Sequence, residues 1–325
     1  MNPETLGVVI IGRNEGERLI KCLASVKLDT NNIVYVDSGS TDGSIDAAKQ
    51  VGVSVVMLDL TQPFTAARAR NEGFAALKVL KPEICFVQFV DGDCVLVRDW
   101  LKNALTFIEQ RQDVGIVCGR RRELRPEVSV YNRLCDLEWD TPVGEALACG
   151  GDALMRVKAF EEVGGFRTQL IAGEEPELCV RLREVGWKIW RLDAEMTQHD
   201  AAITRFAQWW VRAVRGGHAF AEVSWLHWAS PAGIWKRESA RIIFWGGILP
   251  IAIGLGALVH PATLCGVIVY FVQTCRIAFA RGPTSSQSWT YALFVTAVKF
   301  AELQGILKFW WRQWRRQHVT LIEYK

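Results

Sequence analysis

The sequence has almost no excess charge of either sign. Its 38 lysine and arginine residues are offset by 35 aspartate and glutamate residues, which leaves a formal net charge of +3 over 325 residues. A protein that binds nucleic acid needs basic residues concentrated on one surface, and a charge this small does not imply that arrangement. We therefore expect no nucleic-acid partner.

Paired cysteines and a secretory leader are also missing. None of the nine cysteines belongs to a C-x-x-C pair, and most lie inside apolar runs, an arrangement that indicates reduced core residues. The start, Met-Asn-Pro-Glu-Thr, lacks the basic region and cleavage site of a signal peptide. We therefore expect the first part of the chain to stay in the cytoplasm.

Short β-branched runs alternate with helix-length amphipathic stretches in the first part of the chain. Apolar strands separated by single helices predict an α/β fold, with a doubly wound, mainly parallel sheet covered by helices on both faces. The predicted strands are Leu6–Ile11, Ile33–Val36, Val53–Leu58 and Ile84–Val90, and the predicted helices lie near 15–27, 41–51 and 64–80.

Polar residues follow three of the predicted strands. Ligands of such sheets bind at the carboxyl ends of the strands, so residues there are candidates for a site. Ser40, Thr41 and Asp42 could equally well cap the following helix, because side-chain oxygens are favoured at helix starts. The candidates after the first, second and fourth strands are Arg13, Asn14, Glu15, Asp37, Asp91 and Asp93.

The segment Asp91-Gly92-Asp93 places two carboxylates at the end of one apolar strand. Two nearby carboxylates repel each other, so a site that keeps both ionised usually holds a cation. Oxygen ligands favour Mg²⁺ or Mn²⁺, which would bridge the carboxylates to a diphosphate. The glycine between them would let that diphosphate approach the backbone.

Two further segments carry weaker signals. Gly150-Gly151, followed by Asp152, suggests that the backbone approaches a ligand closely, although an ordinary turn would give the same pattern. Glu174 and Glu175 open a predicted helix that continues with basic residues. Complementarity to the helix dipole would explain that pattern equally well.

Taken together and in order, these segments resemble the family-2 glycosyltransferases from Val8 to about His199. Val9-Ile-Ile-Gly-Arg-Asn-Glu15, Val36-Asp-Ser-Gly-Ser-Thr-Asp-Gly43 and Ala69-Arg-Asn-Glu-Gly73 match the family's first three motifs. Asp91-Gly-Asp93 stands at its D-x-D motif, and Gly150-Gly151 through Gly165-Phe166 is similar to its acceptor-side segment. Glu174-Glu175 matches E-D-x-x-L-x-x-R-L, with glutamate in place of the family's aspartate.

The resemblance implies a GT-A fold and gives each candidate residue a role. Asp93 is implied as the direct ligand of Mg²⁺ or Mn²⁺, Asp91 as a residue near ribose and metal, and His199 as a third metal ligand. Glu175 is implied as the catalytic base, and Asp152 is the second candidate for that role. The residues implied to bind the nucleotide-sugar are Arg13, Asn14, Glu15, Asp37, Arg70, Asp91, Gly151 and Asp152.

The reaction implied by the resemblance is a single displacement that inverts the donor's anomeric linkage. The donor is expected to be a UDP- or GDP-hexose. Gln208-Trp-Trp-Val-Arg212 lacks the Q-x-x-R-W spacing of the family's processive synthases, so a non-processive enzyme is expected.

The last third of the chain has the composition of a membrane-associated region. Twelve of the fourteen tryptophans follow residue 186, and the stretch 242–259 has no charged residue. With 264–280 it predicts a membrane hairpin, because about 20 apolar residues span a bilayer. Arginines flank only the outer ends, which favours both ends in the cytoplasm. A polyprenyl-linked glycan of exopolysaccharide or cell-envelope assembly is then the expected acceptor, at the cytoplasmic face of the inner or plasma membrane.

These observations predict three regions and leave two alternatives. The regions are a catalytic domain at 1–200, aromatic and basic interfacial helices at 201–240, and membrane helices at 241–325, with a hairpin at 242–280 and a third helix at 289–312 that either spans the membrane or lies on it. A nucleotidyltransferase could use the same sheet and carboxylates, although the loop Gly-Arg-Asn-Glu-Gly after the first strand holds an acid. A catalytically inactive membrane scaffold is the other alternative.

Overall fold

The computed structural model describes residues 3–315 and divides into two compact units, residues 1–204 and 205–325. The first half of the first unit is a run of parallel β–α–β crossovers, as the alternating pattern predicts. These strands are almost wholly apolar because helices cover both faces of the sheet. The elements are β1 Leu6–Gly12, α1 Glu17–Val26, β2 Ile33–Asp37, α2 Ser44–Gln50, β3 Ser54–Met57, α3 Ala66–Leu80 and β4 Phe86–Asp91.

Several predicted boundaries are wrong by two or three residues. Strand β4 begins at Phe86 because Ile84 lies in a turn, where its amide donates a hydrogen bond to the Lys81 carbonyl. Helix α3 begins after Thr65, whose side-chain oxygen accepts a hydrogen bond from the Arg68 amide at 3.1 Å. A cap of this kind fixes the first turn of a helix.

The second half of this unit adds antiparallel strands to the same sheet. Strand β8 lies between β4 and β6 and is antiparallel to both, and β9 pairs with β5, β6 and β7. The sheet order is β3-β2-β1-β4-β8-β6-β9-β5, with β7 on β9. The elements are β5 Cys94–Leu96, α4 Trp100–Gln110, β6 Val114–Glu123, α5 Val130–Glu138, β7 Gly144–Ala146, β8 Ala153–Arg156, α6 Val157–Glu162, α7 Glu174–Glu184 and β9 Lys188–His199.

This topology determines which residues can meet. Because β8 runs antiparallel to β4, its beginning lies beside the end of β4, and Phe89 is paired with Ala153. The end of β9 lies beside the beginning of β5, with His199 opposite Cys94. Segments far apart in the chain therefore meet at the edge where β1, β2 and β4 end.

The second unit is entirely helical within its described residues. Its elements are α8 Phe206–Leu226, α9 Lys236–Ile243, a π-helical turn Phe244–Ile248, α10 Leu249–Val259, a 3₁₀ helix Pro261–Val267, α11 Ile268–Ala280 and α12 Ser286–Arg315. Helix α12 is longer than the predicted 289–312, and residues 316–325 lie outside the described residues.

Two helical stretches of this unit, Lys236–Val259 and Pro261–Ala280, are long and apolar enough to cross a membrane. Among the described residues no other helix meets that test, and α12 is interrupted by Lys299, Glu302 and Lys308. Helix α8 buries one side against α12: a Cβ atom on Gly217 would lie 1.9 Å from the Glu302 carbonyl oxygen. Core packing therefore explains that side of α8, and an interfacial position of its other side stays a prediction.

Candidate active site

The loop after β1 is bound to the loop after β2. Asn14 has a left-handed backbone, with φ of 55°, and its amide donates to Ser40 Oγ at 2.8 Å. Its side-chain oxygen accepts from the Thr41 amide at 2.8 Å. Ser40 and Thr41 therefore bind the neighbouring loop, whereas Asp42, just before the N-cap Gly43, accepts a hydrogen bond from the amide of Ser44, the first residue of α2, at 3.1 Å.

Asp37 holds the loop after β2 in place. Its side chain is 1% exposed and accepts hydrogen bonds from the Gly39 and Ser40 amides at 2.9 and 2.7 Å. In the loop after β1, Arg13 lies over the ring of Phe64, and Glu15 pairs with Arg18 at 2.7 Å. The structure brings these predicted residues to one edge of the sheet, and their contact with a nucleotide stays a prediction.

Gly92, between the two carboxylates, lies close against the backbone of β1. Its amide donates to the Ile11 carbonyl at 2.8 Å, and a Cβ atom would lie 3.1 Å from that oxygen. Close approach to β1 therefore explains this glycine without a diphosphate. The consequence is that β4 and the acidic pair are held against the end of β1.

Asp91 lies between two arginines. The Nη2 atom of Arg70 is 2.8 Å from Asp91 Oδ1, and the Nη2 atom of Arg121 is 3.1 Å from Asp91 Oδ2. Burial alone would raise the pKa of Asp91, but the two guanidinium groups outweigh it and hold the pKa below its usual range. Asp91 is therefore ionised at neutral pH.

Arg121 is a site residue that the sequence analysis missed. It pairs at 2.7 Å with Asp152, which is fully buried and also accepts from Thr197 Oγ1 at 2.7 Å and from the Asp91 amide at 3.0 Å. These contacts give Asp152 a positioning role beside Asp91, and its contact with a donor stays a prediction. Three consecutive arginines at 120–122 follow an apolar run, and this pattern could have identified Arg121 as a candidate from the sequence.

Asp93 and His199 lie side by side in the buried part of the site. His199 Nε2 is 3.2 Å from Asp93 Oδ2, and both residues are less than 9% exposed. Asp93, His199 and the neighbouring Cys94 each offer a ligand atom, and these atoms lie within 4.8 Å of one another. A carboxylate, an imidazole and a thiol are ligand types that bind divalent cations, so the donor set fits a metal ion. Cys94 was not among the predicted residues, although it directly follows Asp93.

Arg70 connects Asp91 to the start of α7. Its Nη1 atom is 2.9 Å from both Glu174 Oε1 and Glu175 Oε1, and the whole residue is 2% exposed. A Cβ atom on Gly151 would lie 2.5 Å from the Nη2 atom of Arg70. Gly151 therefore makes room for this ion-pair network, and direct contact of Arg70 or Gly151 with a nucleotide stays a prediction.

Glu175 is the more accessible of the two glutamates at the start of α7. Its side chain is 13% exposed, against 4% for Glu174. Burial, followed by repulsion from Glu174, raises the pKa of Glu175 to about 7 although Arg70 opposes the shift. A carboxylate with such a pKa can accept a proton at neutral pH, as a general base must. Glu177, in the same turn, is fully buried and bound to Arg167 and Arg181, so it has a structural role.

The site contains more negative than positive charge. In the part of the chain that the structure describes, Asp91, Asp152, Glu174 and Glu175 pair with the guanidinium groups of Arg70 and Arg121, and a fifth carboxylate, that of Asp93, adjoins His199. Such an excess favours a bound cation.

Comparison with known proteins finds matches to the first part of the chain and to the fold. Residues 7–164 match the family described as Glycosyl transferase family 2. The chain is 26% identical over 276 residues to a pre-mycofactocin glycosyltransferase of Mycobacterium tuberculosis, covering 77% of this chain and 54% of that protein. It is 28% identical over 170 residues to the succinoglycan biosynthesis protein ExoA of Rhizobium meliloti, covering 50% of this chain and 51% of that protein. The chain thus spans about half the length of these relatives.

Among solved structures, the fold is similar to that of the mannosyltransferase PcManGT from Pyrobaculum calidifontis, determined in complex with GDP-Man and Mn²⁺. The TM-score is 0.61 at 16% identity, and the match covers 95% of this chain and 88% of that one. At this identity the similarity concerns the fold.

Proposed function

Residues 7–164 form a glycosyl transferase family 2 domain with the GT-A fold, and from that premise we propose that the chain transfers a hexose from a UDP- or GDP-sugar to an acceptor hydroxyl with inversion. One observation carries the proposal. A candidate metal pair, Asp93 and His199, and a glutamate with a pKa of about 7 lie at the same edge of the sheet. Arg70 connects Asp91, two residues from Asp93, to that glutamate.

The catalytic base is proposed to be Glu175. In its ionised form it accepts the proton of the acceptor hydroxyl as the oxygen attacks the anomeric carbon. Arg70 fixes the carboxylate at 2.9 Å and thereby orients it. One displacement from one side of the sugar inverts the anomeric configuration, so an α-linked donor yields a β-linked product.

The donor is proposed to lie between the loops after β1 and β2 and the acidic pair. The residues proposed to hold a divalent ion are Asp93 and His199, with Asp91 beside them. When bound, Mg²⁺ or Mn²⁺ would neutralise the negative charge of the departing diphosphate. Asp37 and Asn14 keep the two loops in the shape that the nucleotide would meet.

The acceptor is proposed to be a polyprenyl-linked glycan at the cytoplasmic face of the membrane, and one sugar is transferred per binding event. The supporting features are the two apolar helical stretches and the arginines at their outer ends only. Single-cysteine labelling at Pro261 tests this placement in cells, after exposed Cys85 and Cys265 are replaced. Labelling from outside supports a spanning hairpin, and labelling only from the cytoplasm contradicts it.

A panel of nucleotide-sugars, assayed by released nucleotide, tests the activity itself. We expect release from one UDP- or GDP-hexose, dependent on divalent metal and increased by acceptor lipid. The two alternatives predict other results. A nucleotidyltransferase would release pyrophosphate from a nucleoside triphosphate and a sugar phosphate, and an inactive scaffold would release nothing.

A further inference from the structure

Cys94 occupies a central position among the metal-binding candidates. It begins β5, directly opposite His199 on β9, so the two side chains lie on the same face of this strand pair. Its Sγ atom is 3.7 Å from Asp93 Oδ1, and it belongs to a second cluster with Asp91 and Asp152 whose ligand atoms also lie within 4.8 Å of one another. The thiol therefore adjoins both carboxylates of the acidic pair.

The separations between these atoms fit one coordination shell. Ligands at about 2.0–2.3 Å from a tetrahedral Zn²⁺ lie about 3.3–3.8 Å apart. The observed 3.7 Å between Cys94 Sγ and Asp93 Oδ1, and 3.2 Å between His199 Nε2 and Asp93 Oδ2, are close to those values. These two distances run to different oxygens of Asp93, and the ligand atoms of all three residues lie within 4.8 Å of one another, which makes the three residues candidates for one coordination shell.

The support behind His199 also suits a metal ligand. Its Nδ1 atom is 4.0 Å from the buried carboxylate of Glu123, and its ring packs in a T-shaped arrangement with that of Trp139, with the ring centroids 4.9 Å apart. Glu123 is itself fixed by the Ala201 amide at 3.0 Å. At 4.0 Å Glu123 is too far away to accept a hydrogen bond from Nδ1, so it supplies a negative charge behind the ring, and Nε2 faces Asp93.

We propose that Cys94 is a ligand of the metal in this site, which therefore binds Zn²⁺ or Co²⁺ more tightly than Mg²⁺. The inference rests on the metal site of the proposed function and specifies its chemistry. Thiolate is a soft ligand that selects ions such as Zn²⁺, whereas Mg²⁺ prefers oxygen. On binding, the thiol proton leaves to solvent and the sulfur forms the bond to the metal.

Titration of the metal-free full chain in detergent micelles with Co²⁺ tests the proposal. A thiolate bound to Co²⁺ gives a near-ultraviolet charge-transfer band, which we expect to saturate and then to disappear when Zn²⁺ is added. The band should be absent in Cys94→Ser and in Asp93→Ala. Cys118→Ser is the matched control, because Cys118 is also buried in this sheet but belongs to neither cluster, and it should keep the band.

Calorimetric titration gives a second readout. We expect Cys94→Ser to weaken Zn²⁺ binding about tenfold or more and to leave Mn²⁺ binding nearly unchanged, since Asp93 and His199 remain. Co²⁺ binding without the band, a band that survives Asp93→Ala, or unchanged Zn²⁺ affinity would each overturn the proposal. The band in the unaltered chain is informative even if a variant fails to fold.

The metal titrations distinguish the role of Cys94 from the existence of the metal site. If Mn²⁺ binds in an Asp93-dependent way but Co²⁺ gives no band, only the role of Cys94 is wrong. If neither Mn²⁺ nor Co²⁺ binds the unaltered chain, the metal site of the proposed function is wrong as well.

Discussion

At the scale of single residues, Arg70 connects the two ends of the candidate site. It is 2% exposed and contacts Asp91 on one side and Glu174 and Glu175 on the other. Removing a guanidinium from such a setting would leave buried carboxylates without a partner, at a high cost in stability. Conservative changes to the carboxylates are therefore more informative than changes to Arg70.

Replacing Glu175 with Gln should abolish transfer but not donor binding. Glutamine has nearly the same size but lacks the basic lone pair, and a general base commonly contributes about 10²–10⁴ in rate. Glu174→Gln is the matched control, since Glu174 contacts the same guanidinium but is less exposed. Glu177 is unsuitable as a control, because it holds Arg167 and Arg181 in the protein interior. More than about a tenth of normal transfer in Glu175→Gln would rule out this base.

The pH dependence of transfer should follow the same carboxylate. Glu175 must be ionised to accept a proton, and its pKa is raised to about 7. The kcat/KM value should therefore rise as pH increases through about 7 and level off above it. A profile that is already flat from pH 5 upward would show that no group with this pKa limits the reaction.

Asp93→Ala should abolish turnover and metal binding while the fold is retained. His199→Ala should lose less and should recover in part at high metal concentration, because Asp93 still binds the ion. Metal titration of both variants, with Tm as a control for folding, checks this order. Unchanged turnover in metal-free buffer would contradict the metal-dependent account, and unchanged metal affinity in His199→Ala would make that histidine structural.

The residues at strand ends could be predicted, but their partners could not. Asp37, Asp91 and Asp93 follow apolar runs, and that pattern is local. The ion pair between Arg121 and Asp152 joins residues 31 apart, and the reasons for Gly92 and Gly151 are contacts with Ile11 and Arg70. Such non-local contacts depend on the order of the strands in the sheet, and local sequence patterns do not predict that order.

At the scale of elements, the close crossing of α8 and α12 depends on glycine. A Cβ atom on Gly217 would lie 1.9 Å from the Glu302 carbonyl oxygen, whereas nothing lies within 4 Å of one on Gly216. Gly217→Ala should destabilise the chain by about 1–3 kcal/mol through overpacking. Gly216→Ala should stabilise it by up to about 1 kcal/mol, because alanine favours helix. Thermal unfolding in micelles that shows the same shift for both would contradict this packing.

The element pattern was predicted well where the chain is regular. The four parallel strands and their helices follow from periodicity, because the apolar pattern of each element is local. Strands β1, β2 and β3 pair with their neighbours in the chain, whereas β4 returns to pair with β1. The insertion of β8 between β4 and β6 was not predicted, since it is a four-residue strand far from both partners in sequence. That insertion places Asp152 beside Asp91.

At the scale of the whole molecule, the chain combines a unit whose residues 7–164 match the family described as Glycosyl transferase family 2 with a helical unit that contains two apolar stretches. The curated relatives are about twice as long as the matched part of this chain, so their complete activities do not transfer to it. The central claim is that the full chain transfers a sugar by a single displacement.

The anomeric configuration of the product tests that claim most directly. The full chain is incubated with the α-linked nucleotide-sugar that it hydrolyses or transfers, divalent metal and acceptor lipid, and the first-formed linkage is determined by NMR. We predict a β-linked product that carries one added sugar. This product should form only when metal is present, and the Glu175→Gln variant should not form it. An α-linked product would contradict it.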